Sequence, residues 1–181
     1  MVNSATITVG EINGYSWIRI CGKGDVFLAP KLKKFTENLF TIESEDLTPK
    51  VVLDMEECTG MDSTFMGVLA GFAIKLKGMA NSCFQLCNVS NRNQESLEEL
   101  GIDSLVEINP AESEWKGQCE TIQDCLKEWD PDKVEKKLPP SLILETHKTL
   151  GSLNKKNEEE FSSVIKAFED KTKSSVTDRD S

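Results

Sequence analysis

The sequence has few of the residues that most catalytic and metal-binding sites require. Its 181 residues include one histidine, His147, and six cysteines that form no C-x-x-C pair. We therefore expect neither a zinc site nor a cofactor, and we expect the cysteines to be reduced and mostly buried.

Long apolar runs and excess positive charge are also missing. No apolar run approaches the ~20 residues that a membrane-spanning helix needs. The N-terminus has no basic segment followed by an apolar run, so a secretory signal is not expected. Acidic residues outnumber basic ones by 31 to 21, for a net charge of −10, whereas nucleic-acid binding depends on clustered Lys and Arg. These absences predict a cytoplasmic protein that binds neither nucleic acid nor membrane.

The first ~110 residues combine strand-like and helix-like segments. Asn13-Gly14, a pair typical of hairpin turns, separates two runs rich in β-branched and aromatic residues. Pro30 suits the first turn of a helix. The order is β-β-α-β-α-β-α-β, with strands at 5–10, 15–22, 50–55, 82–89 and 105–108 and helices from Pro30, at 63–77 and at 91–100. This order predicts an α/β sandwich with a mixed, largely parallel sheet of about four to five strands and helices packed on it.

Beyond this domain, 1–110, the pattern changes. We predict an irregular helix and linker over 111–140, a helical hairpin over 141–170 and a disordered tail over 171–181. Asn157 is the predicted cap of the second hairpin helix, whose apolar stripe comprises Phe161, Val164, Ile165 and Phe168. We expect the hairpin to serve association, with a homodimer through the C-terminal helices as one outcome.

The segment GMDSTFMG, residues 60–67, follows the strand at 50–55 and begins a predicted helix. One interpretation is a helix cap, in which Asp62 or Ser63 accepts a free backbone N–H for ~1 kcal/mol. The other is a chemical site, because a phosphoryl group on Ser63 would add about two negative charges beside Asp62. Two adjacent hydroxyls are more than one cap requires, so both interpretations stay open.

These features resemble the STAS domain of bacterial anti-sigma factor antagonists over about residues 4–108. The family stretch is D-S-[ST]-G-[LI]-G at the start of the helix after the third strand. Here it reads D-S-T-F-M-G, with Phe65 and Met66 replacing Gly-Leu. The resemblance implies that Ser63 is the phosphorylated serine, flanked by Asp62 and Thr64.

The resemblance also implies a function without catalysis. The unphosphorylated protein would bind an anti-sigma factor that is also a serine kinase of the GHKL type, and so free a sigma factor. Phosphorylation of Ser63 would end binding, and a PP2C-type phosphatase would restore it. The partner-binding residues expected on this basis are Asp25, Asp62, Thr64, Phe65, Met66 and Leu69.

Three alternatives compete with this hypothesis. The domain could be a constitutive scaffold or adaptor of a larger assembly, such as a lipid-transport or signalling complex, with Ser63 only a cap. A Ser-His-Asp hydrolase would require His147 to fold back over Ser63, and His147 is more simply interpreted as a surface or helix-packing residue. The acidic residues between 54 and 62 match no metal-binding loop, so they are interpreted as a solvated loop.

Overall fold

The computed structural model describes residues 5–41, 48–131 and 139–177. It begins with a hairpin of two antiparallel strands, β1 (Thr6–Ile12) and β2 (Tyr15–Gly24). Asn13 and Gly14 form the turn with φ of 48° and 79°. Two successive positive φ angles match the twist of a hairpin and suit Asn-Gly, so the predicted turn is confirmed.

The sheet is mixed and largely parallel, as predicted. Its further strands are β3 (Lys50–Asp54), β4 (Cys58–Met61), β5 (Cys83–Cys87), β6 (Glu107–Ile108) and β7 (Lys127–Glu128). The order is β6-β5-β3-β2-β1-β7, with β4 paired to the end of β2. The described residues hold seven strands rather than four to five. The two strands missed by the prediction, β4 and β7, are too short for a periodic pattern to reveal them.

Six α-helices occur in the described residues: α1 (Ala29–Thr41), α2 (Ser63–Lys77), α3 (Asn91–Glu99), α4 (Cys119–Cys125), α5 (Pro140–Gly151) and α6 (Lys155–Thr177). Helix α2 contributes to the main core together with inward-facing residues of β2 and β3, among them Ile18, Ile20, Val51 and Leu53. Helix α5 packs on another side of α2. Because α2 is covered by both the sheet and α5, it is apolar nearly all round. None of these helices is both long enough and apolar enough to cross a bilayer, within the described ranges.

The opposite face of the sheet is covered by residues that follow the last parallel strand. Trp17 and Val52 from the sheet pack with Trp115 and Ile122 in a second apolar cluster. The Trp17 and Trp115 rings meet edge to face, with centroids 5.4 Å apart. The predicted irregular helix is therefore α4, followed by β7, which pairs with β1. This segment protects both a face and an edge of the sheet.

The C-terminal hairpin forms, but its predicted cap was wrong. Asn154 Oδ1 accepts the N–H of Asn157 at 2.9 Å, and α6 starts at Lys155. Helix α6 continues to Thr177, through the first part of the predicted disordered tail. The rest of that tail, 178–181, and most of the predicted linker, 132–138, lie outside the described residues.

The sequence predicted mostly buried cysteines, whereas the described thiols range from buried to exposed. Cys58 and Cys87 are buried, Cys21 and Cys83 are half-buried, and Cys125 is exposed. Burial raises the pKa of the Cys58 thiol, which disfavours the reactive thiolate there.

Candidate functional site

The start of α2 is organised by Asp62. One carboxylate oxygen, Oδ1, accepts the N–H of Phe65 at 2.9 Å and caps the helix. The other, Oδ2, accepts the N–H of Val26 at 2.7 Å from the loop between β2 and α1. Asp62 therefore caps α2 and also holds this loop against it.

Asp25 organises the same loop from its other end. Its Oδ1 accepts the N–H groups of Phe27 at 3.0 Å and Leu28 at 3.2 Å, just before α1. The Phe27 side chain is 76% exposed, the largest exposure among the big apolar residues described. It lies one residue from the Val26 contact with Asp62. Phe27 was not predicted from the sequence, because an exposed aromatic residue in a loop has no periodic pattern.

Ser63, the first residue of α2, contacts His147 of α5. Ser63 Oγ lies 3.0 Å from His147 Nε2, and His147 Nδ1 lies 2.8 Å from the carbonyl oxygen of Ile143. Because a carbonyl can only accept, these partners assign the proton to Nδ1. Nε2 is then the acceptor, and the Ser63 hydroxyl donates to it.

His147 is 5% exposed, and the Phe161 ring packs edge to face on its imidazole at 5.2 Å. Of the two interpretations of His147, as a surface or a helix-packing residue, the first was wrong and the second is confirmed. The structure also places His147 against Ser63, an arrangement that was not expected from the sequence.

The Ser63–His147 pair lacks a main feature of a catalytic triad. In such triads a buried carboxylate accepts the Nδ1 proton and stabilises the imidazolium that forms. Here the acceptor is the neutral carbonyl of Ile143, four residues earlier in the same helix. This arrangement favours a hydroxyl held in place over an activated nucleophile.

Four predicted partner-contact residues lie inside the protein. Thr64, Phe65, Met66 and Leu69 are all buried, and Phe65 is 0% exposed. A Cβ on Gly24 would lie 2.7 Å from Phe65 Cδ1, so the Phe65 ring fits only because β2 has a glycine there. The departure from the family stretch at Phe65 is thus accommodated within the core of this chain.

Acidic residues at the end of β3 and just after it surround a buried arginine. Arg19 Nη2 lies 2.6 Å from Asp54 Oδ2, and its guanidinium is also within 4 Å of Glu56 and Glu57. Asn88 Nδ2 donates to Asp54 Oδ1 at 2.9 Å. Asp54 is therefore an ion-pair partner rather than part of a solvated loop. No group of three or more potential metal ligands occurs in the part of the chain that the structure describes.

Comparison with known proteins identifies the domain. Residues 8–115 match the family model of the STAS domain. The chain belongs to the STAS domain family. The match includes Asp25 and the whole start of α2, and it ends before the α5–α6 hairpin. No curated protein sequence matches the chain significantly.

Solved structures share the STAS fold. The Thermotoga maritima protein TM1081 matches with a TM-score of 0.51 and 14% identity, over 63% of this chain and 92% of that one. An anti-sigma factor antagonist from Mycobacterium paratuberculosis matches with a TM-score of 0.51 and 17% identity, over 68% of this chain and 98% of that one. At these identities the likeness establishes the fold alone.

Proposed function

We propose that this STAS protein is a phosphorylation-switched anti-sigma factor antagonist. In its unphosphorylated form it binds an anti-sigma factor that is also a GHKL-type serine kinase, and it thereby frees a sigma factor. Phosphorylation of Ser63 ends binding, and a PP2C-type phosphatase restores it. The chain itself performs no catalysis. Its membership of the STAS family supports this class of function.

The observation that carries the proposal is the position of Ser63. Of the two adjacent hydroxyls, that of Thr64 belongs to a buried residue, whereas Ser63 is partly exposed at the first position of α2. In the transfer, Ser63 Oγ bonds to the γ-phosphorus of ATP, the bond to the ADP oxygen breaks, and the hydroxyl proton passes to a base of the kinase. About two negative charges would then adjoin the Asp62 carboxylate. Repulsion and desolvation cost weaken a complex formed there.

The proposed contact surface is the loop beside this helix start. Phe27 offers exposed apolar area, and Asp25 and Asp62 hold the backbone of the loop in shape. The contributions of Thr64, Phe65, Met66 and Leu69 remain predictions. From their buried positions they would act by shaping α2 rather than by touching a partner directly.

Phosphate transfer to neighbouring hydroxyls tests the switch. The wild type, Ser63→Ala and Thr64→Ala would each be incubated with ATP and a GHKL-type anti-sigma kinase of the same organism. We expect one phosphate on the wild type and on Thr64→Ala, and none on Ser63→Ala, by intact-mass and peptide mass spectrometry. Phosphate on the wild type at a residue other than Ser63 would contradict the assignment.

Binding to the same kinase provides the second readout. We expect Ser63→Asp to weaken the complex by about tenfold or more, a loss of about 1.4 kcal/mol, because it places a charge beside Asp62. Ser63→Asn, of similar size and uncharged, is the control. If both variants bound as tightly as the wild type, charge at this position would not control binding.

The alternative is a constitutive scaffold or adaptor subunit of a larger assembly, such as a lipid-transport or signalling complex. The hydrogen bond of Ser63 to His147 favours it, because the hydroxyl already has a partner inside the chain. In that case no phosphate would appear on Ser63, and Ser63→Asp would leave partner binding unchanged.

A further inference from the structure

Helix α5 crosses α2 at a face formed by two glycines one turn apart, Gly67 and Gly71. A Cβ on Gly67 would lie 2.5 Å from Thr146 Cβ and 2.7 Å from the Thr146 carbonyl oxygen. A Cβ on Gly71 would meet only Thr149 Cγ2, at 4.0 Å. Glycine is unfavourable inside a helix, so a packing role explains its presence. Gly67 permits the close approach of α5.

This crossing places α5 over Ser63. The His147 imidazole accepts the Ser63 hydroxyl at 3.0 Å, and Phe161 of α6 packs against that imidazole. A kinase must bring the γ-phosphorus of ATP within bonding distance of the same oxygen. With the hairpin docked, the Ser63 hydroxyl is engaged by His147, and α5 lies against one side of it.

The attachment of the hairpin to the domain is uneven. Exposed ion pairs join Lys33 to Glu145 and Lys156 to Glu99, and such pairs add little to stability. A cleft of about 190 Å³ opens between α5 and the neighbouring helices α1 and α2. The firmest polar link is Asn157, which is fully buried and donates to the carbonyl oxygen of Leu100 at 2.9 Å. The hairpin thus has a buried polar link to the domain near α3, whereas its ion pairs to α1 and α3 are exposed.

We propose that the α5–α6 hairpin is an autoinhibitory cap, which must leave α2 before Ser63 can be phosphorylated. The proposal rests on the proposed function and adds the regulation of its site. Once Ser63 carries a phosphoryl group, its Oγ has no proton to donate to His147. Phosphorylation would therefore prevent the original contact from re-forming.

Opening of the cap can be measured without a kinase, because His147 is the one histidine of the chain. Full-length wild type, Gly67→Ala and Gly71→Ala would be treated with diethyl pyrocarbonate, which modifies accessible imidazole. Both substitutions favour the helical state of α2, but only Gly67→Ala collides with Thr146. We expect His147 of Gly67→Ala to react about tenfold faster or more. Gly71→Ala should react at the wild-type rate.

Hydrogen exchange provides the matching control for folding. In Gly67→Ala we expect faster exchange over 140–160 and unchanged exchange over β2, β3 and β5, which shows that the STAS domain itself remains folded. Equal His147 reactivity in all three proteins would overturn the proposal.

A disulfide that holds the hairpin against α2 is the complementary test of the cap. It also allows the proposal to be tested if Gly67→Ala does not fold. A Cβ on Gly71 would lie 4.0 Å from Thr149 Cγ2, so Gly71→Cys and Thr149→Cys are introduced to form a disulfide across this contact. Cys125→Ser removes an exposed native thiol. We expect the protein oxidised with glutathione disulfide to take up no phosphate from the kinase and ATP. Reduction with dithiothreitol should restore uptake.

The outcomes separate the two proposals. If the wild type and the locked protein were phosphorylated equally fast, the cap would be refuted while the switch at Ser63 stood. If no protein, including an opened Gly67→Ala, took up phosphate, the switch would fail, and the regulatory role of the hairpin with it. The cap is supported if Gly67→Ala is phosphorylated faster than Gly71→Ala and the locked protein is not phosphorylated.

Discussion

Tyr15, the one tyrosine of the chain, has a pKa that is changed by its surroundings in the fold. Its side chain is buried at the start of β2, and its hydroxyl donates to Glu114 Oε2 at 2.9 Å. Burial, followed by the hydrogen bond and the charge of Glu114, raises the pKa of Tyr15 to about 12. Tyr15 thereby links β2 to the segment that covers the second face of the sheet.

The pKa of Tyr15 predicts a loss of stability in alkali. The unfolded chain releases this proton near pH 10, whereas the folded chain keeps it to about pH 12. The contribution of Tyr15 is thus fully present below about pH 10 and is lost as the pH rises from 10 through 12. We expect the phenolate absorbance to appear near pH 12 in the native protein and near pH 10 in urea.

Glu114→Gln is the control for the Tyr15 titration, because it removes the charge while it keeps an acceptor. It should shift the native titration toward lower pH without abolishing the shift due to burial. Native titration near pH 10 would show that the Tyr15 hydroxyl is exposed.

Among the site residues, some roles follow from the local sequence and others depend on the tertiary fold. The role of Asp62 as a cap follows from its place directly before α2, because a helix start leaves nearby N–H groups free. The contact of Ser63 with His147 joins residues 84 positions apart. No local pattern encodes such a contact, so it could not be predicted.

At the scale of elements, the start of α6 shows the limit of local rules. Asn157 is followed directly by three glutamates and Asn154 by two lysines, yet an Asn at either position can cap a helix. The structure assigns the cap to Asn154 and buries Asn157 between the carbonyl oxygens of Leu100 and Leu150. The choice depends on α3 and α5, which supply those carbonyls.

This arrangement predicts that Asn157→Ala destabilises the protein by about 1–3 kcal/mol, because two buried carbonyl groups lose their donor. The neighbouring substitution Lys156→Ala removes only the exposed pair with Glu99 and should cost under about 1 kcal/mol. Urea unfolding followed by tryptophan fluorescence measures both. Equal, small losses of stability for the two variants would indicate that the Asn157 side chain lies at the surface.

At the scale of the whole molecule, the hairpin packs on its own domain, with Leu142, Leu150 and Phe161 in the main core. The later part of its apolar stripe is less covered, since Val164, Ile165 and Phe168 of α6 are half-buried. A homodimer through the C-terminal helices, as expected from the sequence, would use this outer stripe.

Light scattering on the full chain tests the dimer. If the outer stripe mediates it, Phe168→Glu should halve the mass at a given concentration, because a charge would then be buried at the interface. Ala167→Glu, at an exposed site on the same helix, adds the same charge and is the matched control that should leave the mass unchanged. A monomeric mass for the wild type at every concentration would rule out this association.

Local pattern and composition were sufficient to predict the mixed α/β sheet, the hairpin turn and the bounds of α2, whereas the STAS family was indicated by a resemblance at residues 62–67. These features depend on neighbours in sequence, on hydrophobic period and on turn and cap residues. The tertiary structure alone decided that Phe65 lies in the core against Gly24, and that α5 covers Ser63 through Gly67 and His147. Both depend on close packing between distant segments, where the presence or absence of one Cβ determines which surfaces can meet.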